Sequence, residues 1–118
     1  MNLRTVVNAY IAAIYFTDTG DTGQPESSIR ISDEANDRIS DDCSLFVEAA
    51  DNANLLREYV IWRSLDDLGH DFWLSRGGFG TGFQDRGLGA LGDKLHALAK
   101  SFGECTAYEG DDGLLYLA

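Results

Sequence analysis

Apolar positions repeat with a helical spacing at the start of the chain. Leu3, Val6, Val7, Tyr10, Ile11 and Ile14 fall three and four residues apart, which predicts an amphipathic first helix. Thr17 to Glu26 is rich in Thr, Asp and Gly, contains the only proline (Pro25), and predicts a loop. Ser32 then fits a helix N-cap, with Asp33 and Glu34 in a first turn where the helix dipole favours acids. Ile39, Cys43, Phe46, Val47 and Ala50 give the apolar stripe of that second helix. A third helix is predicted from about Asn54, with Leu55, Leu56, Tyr59 and Trp62 facing inward and an end near Gly69.

The period then changes. His70 to Arg76 reads as a strand, Gly77-Gly78 as a two-residue hairpin turn, and Phe79 to Asp85 as the returning strand. Leu88, Leu91, Leu95, Leu98 and Phe102 restore the helical spacing, and Gly103 closes that helix. Cys105 to Leu117 carries Gly110-Asp111-Asp112-Gly113 as a turn between two short apolar strands. The order predicts an α+β fold, with helices packed on a small antiparallel sheet of β-hairpins. Residues 1–118 suit a single domain, with an acidic helical half over 1–68 and a hairpin–helix–hairpin half over 69–118.

Composition supports a folded chain. Hydrophobic residues make up 44% and aromatics 11%, which a disordered acidic tail would lack. Charge narrows the partners. The net is −11: residues 18–67 hold thirteen acids against four bases (−9), and residues 68–118 hold seven against four (−3). Such a field repels nucleic acid and anionic membrane, and attracts cationic surfaces. Solubility alone also accounts for net charge on a small domain. Cys43 and Cys105 lie outside any C-x-x-C pattern and form no disulfide framework. No secretory leader and no apolar run of ~20 residues is evident, so the expected location is the cytoplasm.

Little in the chain points to catalysis. Gly87 to Gly92 matches G-x-G-x-x-G, but only 26 residues follow and they end in a hairpin signature. A dinucleotide site needs a βαβ unit there, so no cofactor is predicted. His70-Asp71 resembles the central pair of metal phosphohydrolases, yet His96 is the only other histidine and no metal site assembles. No G-x-S-x-G element is present, and no local pattern joins either cysteine to a histidine. Asp18 to Gly23 and Glu109 to Gly113 are better explained as turns than as calcium loops. A binding protein is expected, not an enzyme.

The acids are patterned. Asp33, Asp37 and Asp41 stand four apart, and Glu34, Asp42, Glu48 and Asp51 continue along the same helix, with Asp66, Asp67 and Asp71 beyond. Like charges at that spacing repel by a few tenths of a kcal/mol each, softened here by the Glu34–Arg38 pair. Two readings stand: a solvated helix face, or carboxylates set where a partner expects phosphates. The predicted hairpin tip offers a second contact surface through Arg76 and Phe79, a cation and a ring beside two glycines.

Gly69-His70-Asp71-Phe72-Trp73-Leu74-Ser75-Arg76, continuing through Gly80-Thr81-Gly82-Phe83 to Asp85-Arg86-Gly87-Leu88-Gly89, resembles a motif of small proteins encoded by phages and plasmids. The closing Tyr108-Glu109-Gly110-Asp111-Asp112-Gly113 is similar too. Those proteins commonly read His-Asp-Phe-Trp-Leu-Thr-Arg-Asn-Gly-His-Gly, from which Ser75, Gly77 and Phe79 depart. The resemblance implies a mobile-element origin. Small acidic proteins of that origin often act against host defence, and some resemble DNA. The implied partner is a positively charged, nucleic-acid-binding host protein, a CRISPR surveillance complex or a restriction enzyme.

Overall fold

Five α-helices and one two-stranded sheet are found among the residues that the computed structural model describes, namely 2–17, 30–79 and 81–118. Helix α1 (Leu3–Thr17) buries Val6, Ala9, Tyr10, Ala13 and Ile14, close to the predicted stripe. The predicted loop beyond Thr17 lies outside the described residues. Ser32 caps α2 (Asp33–Asn52) as expected, its hydroxyl accepting the Ala35 N–H at 3.1 Å. Helix α2 buries Ala35, Ile39, Cys43, Phe46, Val47 and Ala50. Asn54, at φ 62°, then takes the left-handed conformation that asparagine tolerates, and the chain reverses into α3 (Leu55–Trp62).

The predicted third helix is two helices. Ser64 interrupts it and opens α4 (Leu65–Arg76) with a capping box: its hydroxyl accepts the Asp67 N–H at 3.1 Å, and Asp67 Oδ2 accepts the Ser64 N–H at 3.1 Å. Helix α4 therefore contains His70 to Arg76, the segment expected to be a strand. The physical reason is burial. Leu68, Gly69 and every residue from Asp71 to Arg76 are buried, so α4 lacks the polar face that would reveal its period. A short run buried on all sides cannot be told from a buried strand by periodicity.

The expected hairpin tip is the end of this helix. The Gly77 N–H donates to Trp73 O at 2.9 Å. Phe83–Asp85 form one 3-10 turn in place of the returning strand, and Gly80 lies outside the described residues. Helix α5 (Ala90–Lys100) buries Leu91, Leu95 and Ala99. Strands β1 (Ala107–Glu109) and β2 (Leu115–Leu117) then pair antiparallel, Tyr108 opposite Tyr116, around the predicted Gly110–Gly113 turn. The architecture is thus mostly helical, and the α+β expectation fails except for this one hairpin.

Two close approaches hold the layers together. A Cβ on Gly69 would sit 2.2 Å from Val6 O, so glycine lets α4 lie directly on α1. Phe46 of α2 stacks on Phe72 of α4 with ring centroids 4.0 Å apart. The hairpin is tied to the chain entering α2, since Ser32 N–H donates to Leu115 O at 2.9 Å and Leu115 N–H donates to Arg30 O at 2.8 Å.

Candidate functional site

Helical geometry decides which α2 acids share a face. Asp33, Asp37, Asp41, Glu48 and Asp51 fall within an arc of about 80° along about 27 Å of axis, and Glu34 lies at its edge. All six are exposed, and none has an ion-pair partner among the described residues. Leu45, also exposed, borders the row.

Asp42 departs from the row. It is turned about 100° from Asp41 toward the core. There it accepts Arg76 Nη1 at 2.7 Å and lies 3.6 Å from Arg38 Nε.

Arg76 corrects the expectation of an exposed cation at a hairpin tip. It is 2% exposed at the end of α4. Its Nε donates to Gly103 O at 3.0 Å, Nη2 to Phe102 O at 2.9 Å, and Nη1 also to the Tyr10 hydroxyl at 3.2 Å. The Phe72 and Phe102 rings flank it at 5.5 and 5.9 Å. Burial works against its charge, but Tyr10 and Asp42 outweigh that and raise its pKa. Arg76 locks α4 to α2 and to the chain after α5. Phe79 is exposed but folds back, its ring 6.1 Å from Trp73.

Asp71 is likewise interior, 1% exposed. Arg86 grips it at 2.7 Å through Nη2, with Nε at 3.1 and 3.2 Å from the two carboxylate oxygens. The Tyr59 hydroxyl donates to it at 3.4 Å, and Arg63 Nη2 stands 3.9 Å away. The carboxylate raises the pKa of Arg86 through this hydrogen bond. With His70, Asp66, Asp67 and Arg63, the pair lines a cleft of about 430 Å³. Asp66 is exposed there, while Asp67 is held in the capping box and bridges Arg63 at 3.4 Å. Partial burial works against ionising Asp67, yet the Ser64 N–H and hydroxyl, with Arg63, hold its carboxyl below the usual range.

The motif residues of 69–89 thus act largely inside the molecule. Gly82, at φ 134°, leaves room that a Cβ would fill 2.3 Å from Ser75 Oγ. Ser75 Oγ accepts the Phe83 N–H at 3.1 Å and meets His96 Nδ1 at 3.1 Å, joining α4, the 3-10 turn and α5. The sequence patterns gave no sign of this Ser–His contact. The serine is fully buried, so the contact braces the fold and presents no accessible nucleophile. At the G-x-G-x-x-G stretch the element before α5 is the 3-10 turn in place of the expected strand, and Gly92 serves packing: a Cβ there would lie 2.6 Å from Phe83 O.

Trp62 reverses another expectation. Its spacing predicts an inward position, and it is 69% exposed. Both cysteines are buried and unpaired. No metal-holding group of His, Cys, Asp or Glu occurs among the described residues, and no helix among them is long and apolar enough to cross a membrane. No family model, curated protein or solved structure matches the chain.

Proposed function

We propose that the protein is an inhibitor of phage type that blocks a host nucleic-acid-binding complex by presenting the α2 carboxylates where phosphates belong. The observation that carries this reading is the exposed row Asp33–Asp37–Asp41–Glu48–Asp51 on one face of one helix, without ion-pair partners among the described residues. Its first three members advance about 6 Å per step. That is close to the advance of roughly two nucleotides along one strand of a duplex. A face serving only solubility would gain by mixing Lys among its acids, because i,i+4 pairs of opposite charge stabilise a helix. A CRISPR surveillance complex that binds DNA is the first target to test, and a restriction enzyme the second.

The experiment is a competition. A purified surveillance complex is mixed with the protein and challenged with labelled target DNA. Mutual exclusion is expected, weakening steeply as salt is added, since exposed charges are screened beyond about 10 Å at ~0.1 M. Simultaneous binding of DNA and protein, or binding indifferent to salt, removes the phosphate-mimic reading.

A further inference from the structure

Tyr108 and Tyr116 stand opposite each other on the C-terminal hairpin, their rings stacked with centroids 5.8 Å apart and planes inclined by 22°. Side chains alternate between the two faces of a strand, so with Leu115 turned into the core both tyrosines stand on the outer face. Tyr116 is fixed there. Its hydroxyl donates to Asp112 Oδ2, and its ring lies against Gly110, where a Cβ would sit 2.5 Å from Tyr116 Cε1. Tyr108 stacks on this fixed ring and is 49% exposed. A cross-strand aromatic pair steadies a short hairpin. Here half of one ring also stays in solvent.

The rim of this face is acidic. From Cys105 to Ala118 the chain holds Glu109, Asp111 and Asp112, all exposed, and no Lys or Arg. Glu34 adds a fourth carboxylate from the first turn of α2. The Tyr116 hydroxyl is pushed up to about 12, first by its hydrogen bond to Asp112 and in smaller part by the charge of Glu34, which sets that acid beside the hairpin. Backbone bonds from Leu115 to Arg30 and from Ser32 to Leu115 seat the two elements together. Arg30, exposed on the chain entering α2, is one base against these four carboxylates.

We infer that this hairpin face takes an arginine side chain of the cationic partner, the guanidinium laid on Tyr108 and its N–H groups turned to the surrounding carboxylates. The inference rests on the reading of α2 as a surface for such a partner, and it carries that surface past the start of the helix. Two properties select arginine. A planar guanidinium stacks on an aromatic ring and keeps its in-plane donors for carboxylates. An ammonium is more strongly hydrated and has no plane to stack. A surface that binds phosphates uses both cations, so the α2 row reads charge alone while the tyrosine face discriminates.

Calorimetric titration of the intact chain with octa-arginine and with octalysine, peptides of equal charge, tests this. The parent should bind octa-arginine about three- to fivefold more tightly at ~0.1 M salt. Tyr108→Leu, which keeps apolar bulk and loses the ring, should bring the two affinities together with that for octalysine unchanged. Tyr108→Phe should keep them apart, and Trp62→Ala should leave their ratio as it is. Neutralising Asp33, Asp37, Asp41 and Glu48 should weaken both peptides by the same factor. A parent that treats the peptides alike, or binds neither, overturns the inference. So does a ratio that survives Tyr108→Leu or vanishes with Trp62→Ala. A protein that excludes DNA from the surveillance complex yet treats the peptides alike overturns the arginine site and keeps the phosphate mimic. One that holds the ratio yet binds alongside DNA removes the mimic and keeps the arginine site.

Discussion

Arg76 Nη1 lies 2.7 Å from Asp42 Oδ2, and this contact fastens the end of α4 to the one α2 carboxylate turned away from the exposed row. The pair separates two uses of the same residue type. Asp42 is spent on the fold. Its neighbours Asp37 and Asp41 are exposed and have no ion-pair partner among the described residues. The first prediction follows from what Arg76 would leave behind. Its removal leaves the Tyr10 hydroxyl and the carbonyls of Phe102 and Gly103 without this donor, and leaves Asp42 with Arg38 alone, at 3.6 Å. Arg76→Met should cost about 2–3 kcal/mol in urea unfolding, because several acceptors at the end of α4 lose their donor while partly exposed Asp42 keeps only the weaker Arg38 contact. Arg76→Lys should rescue little, since an ammonium cannot reproduce a planar fork directed at four acceptors.

Gly69→Ala tests the approach of α1 to α4. Alanine should gain about 1 kcal/mol of helix propensity. Its Cβ, however, would stand 2.2 Å from Val6 O, a backbone atom that cannot rotate away. Overpacking of that kind costs about 1–3 kcal/mol, so a net loss is expected in thermal or urea unfolding. A stabilised Gly69→Ala variant would mean that α1 is free to move off α4.

The same glycine shows why part of this fold was legible and part was not. The stripes of α1, α2 and α5 were legible because each helix has a wet side. The C-terminal hairpin was legible because Gly110-Asp111-Asp112-Gly113 is turn chemistry in so short a span. Helix α4 was obscured by being central. With Asp71, Ser75 and Arg76 all buried, its polar residues mark interior hydrogen bonds and no solvent face. The signal that could have found it is Ser64-Leu65-Asp66-Asp67, a capping-box pattern just before Leu68. Trp62 followed the spacing of Leu55 and Tyr59, but it closes α3 and its ring stays uncovered among the described residues. The acid row on α2 could be read from spacing alone. The diversion of Asp42 could not, because Arg76 lies 34 residues away.

Asp67 supplies a pH prediction. Its folded pKa is lowered from 3.8, chiefly by the Ser64 hydrogen bonds acting against partial burial. A carboxyl depressed on folding contributes stability that is fully present above its unfolded pKa and is lost as pH falls through the folded value. The urea midpoint of the parent should therefore drop more than that of Asp67→Asn between about pH 5 and pH 3. At neutral pH, Asp67→Asn should be the less stable of the two. Parallel pH profiles would show that the capping box does not depend on the charge.

Neutralising the exposed row should separate stability from binding. The substitutions are Asp33→Asn, Asp37→Asn, Asp41→Asn and Glu48→Gln together, with Asp42 left intact. None of the four side chains is buried or ion-paired among the described residues, so the core is untouched. Removing the repulsion between Asp33 and Asp37 and between Asp37 and Asp41 should return a few tenths of a kcal/mol per pair. Asp33 is the exception, because it lies in the first turn of α2, where the helix dipole favours a negative charge. The two effects oppose, and the unfolding midpoint should move little. Exclusion of DNA from the surveillance complex should nevertheless be lost, and its salt dependence should flatten with it. Asp42→Asn alone should do the reverse, lowering stability through Arg76 while sparing exclusion. A quadruple variant that still displaces DNA would show that the row is a solvated face and nothing more.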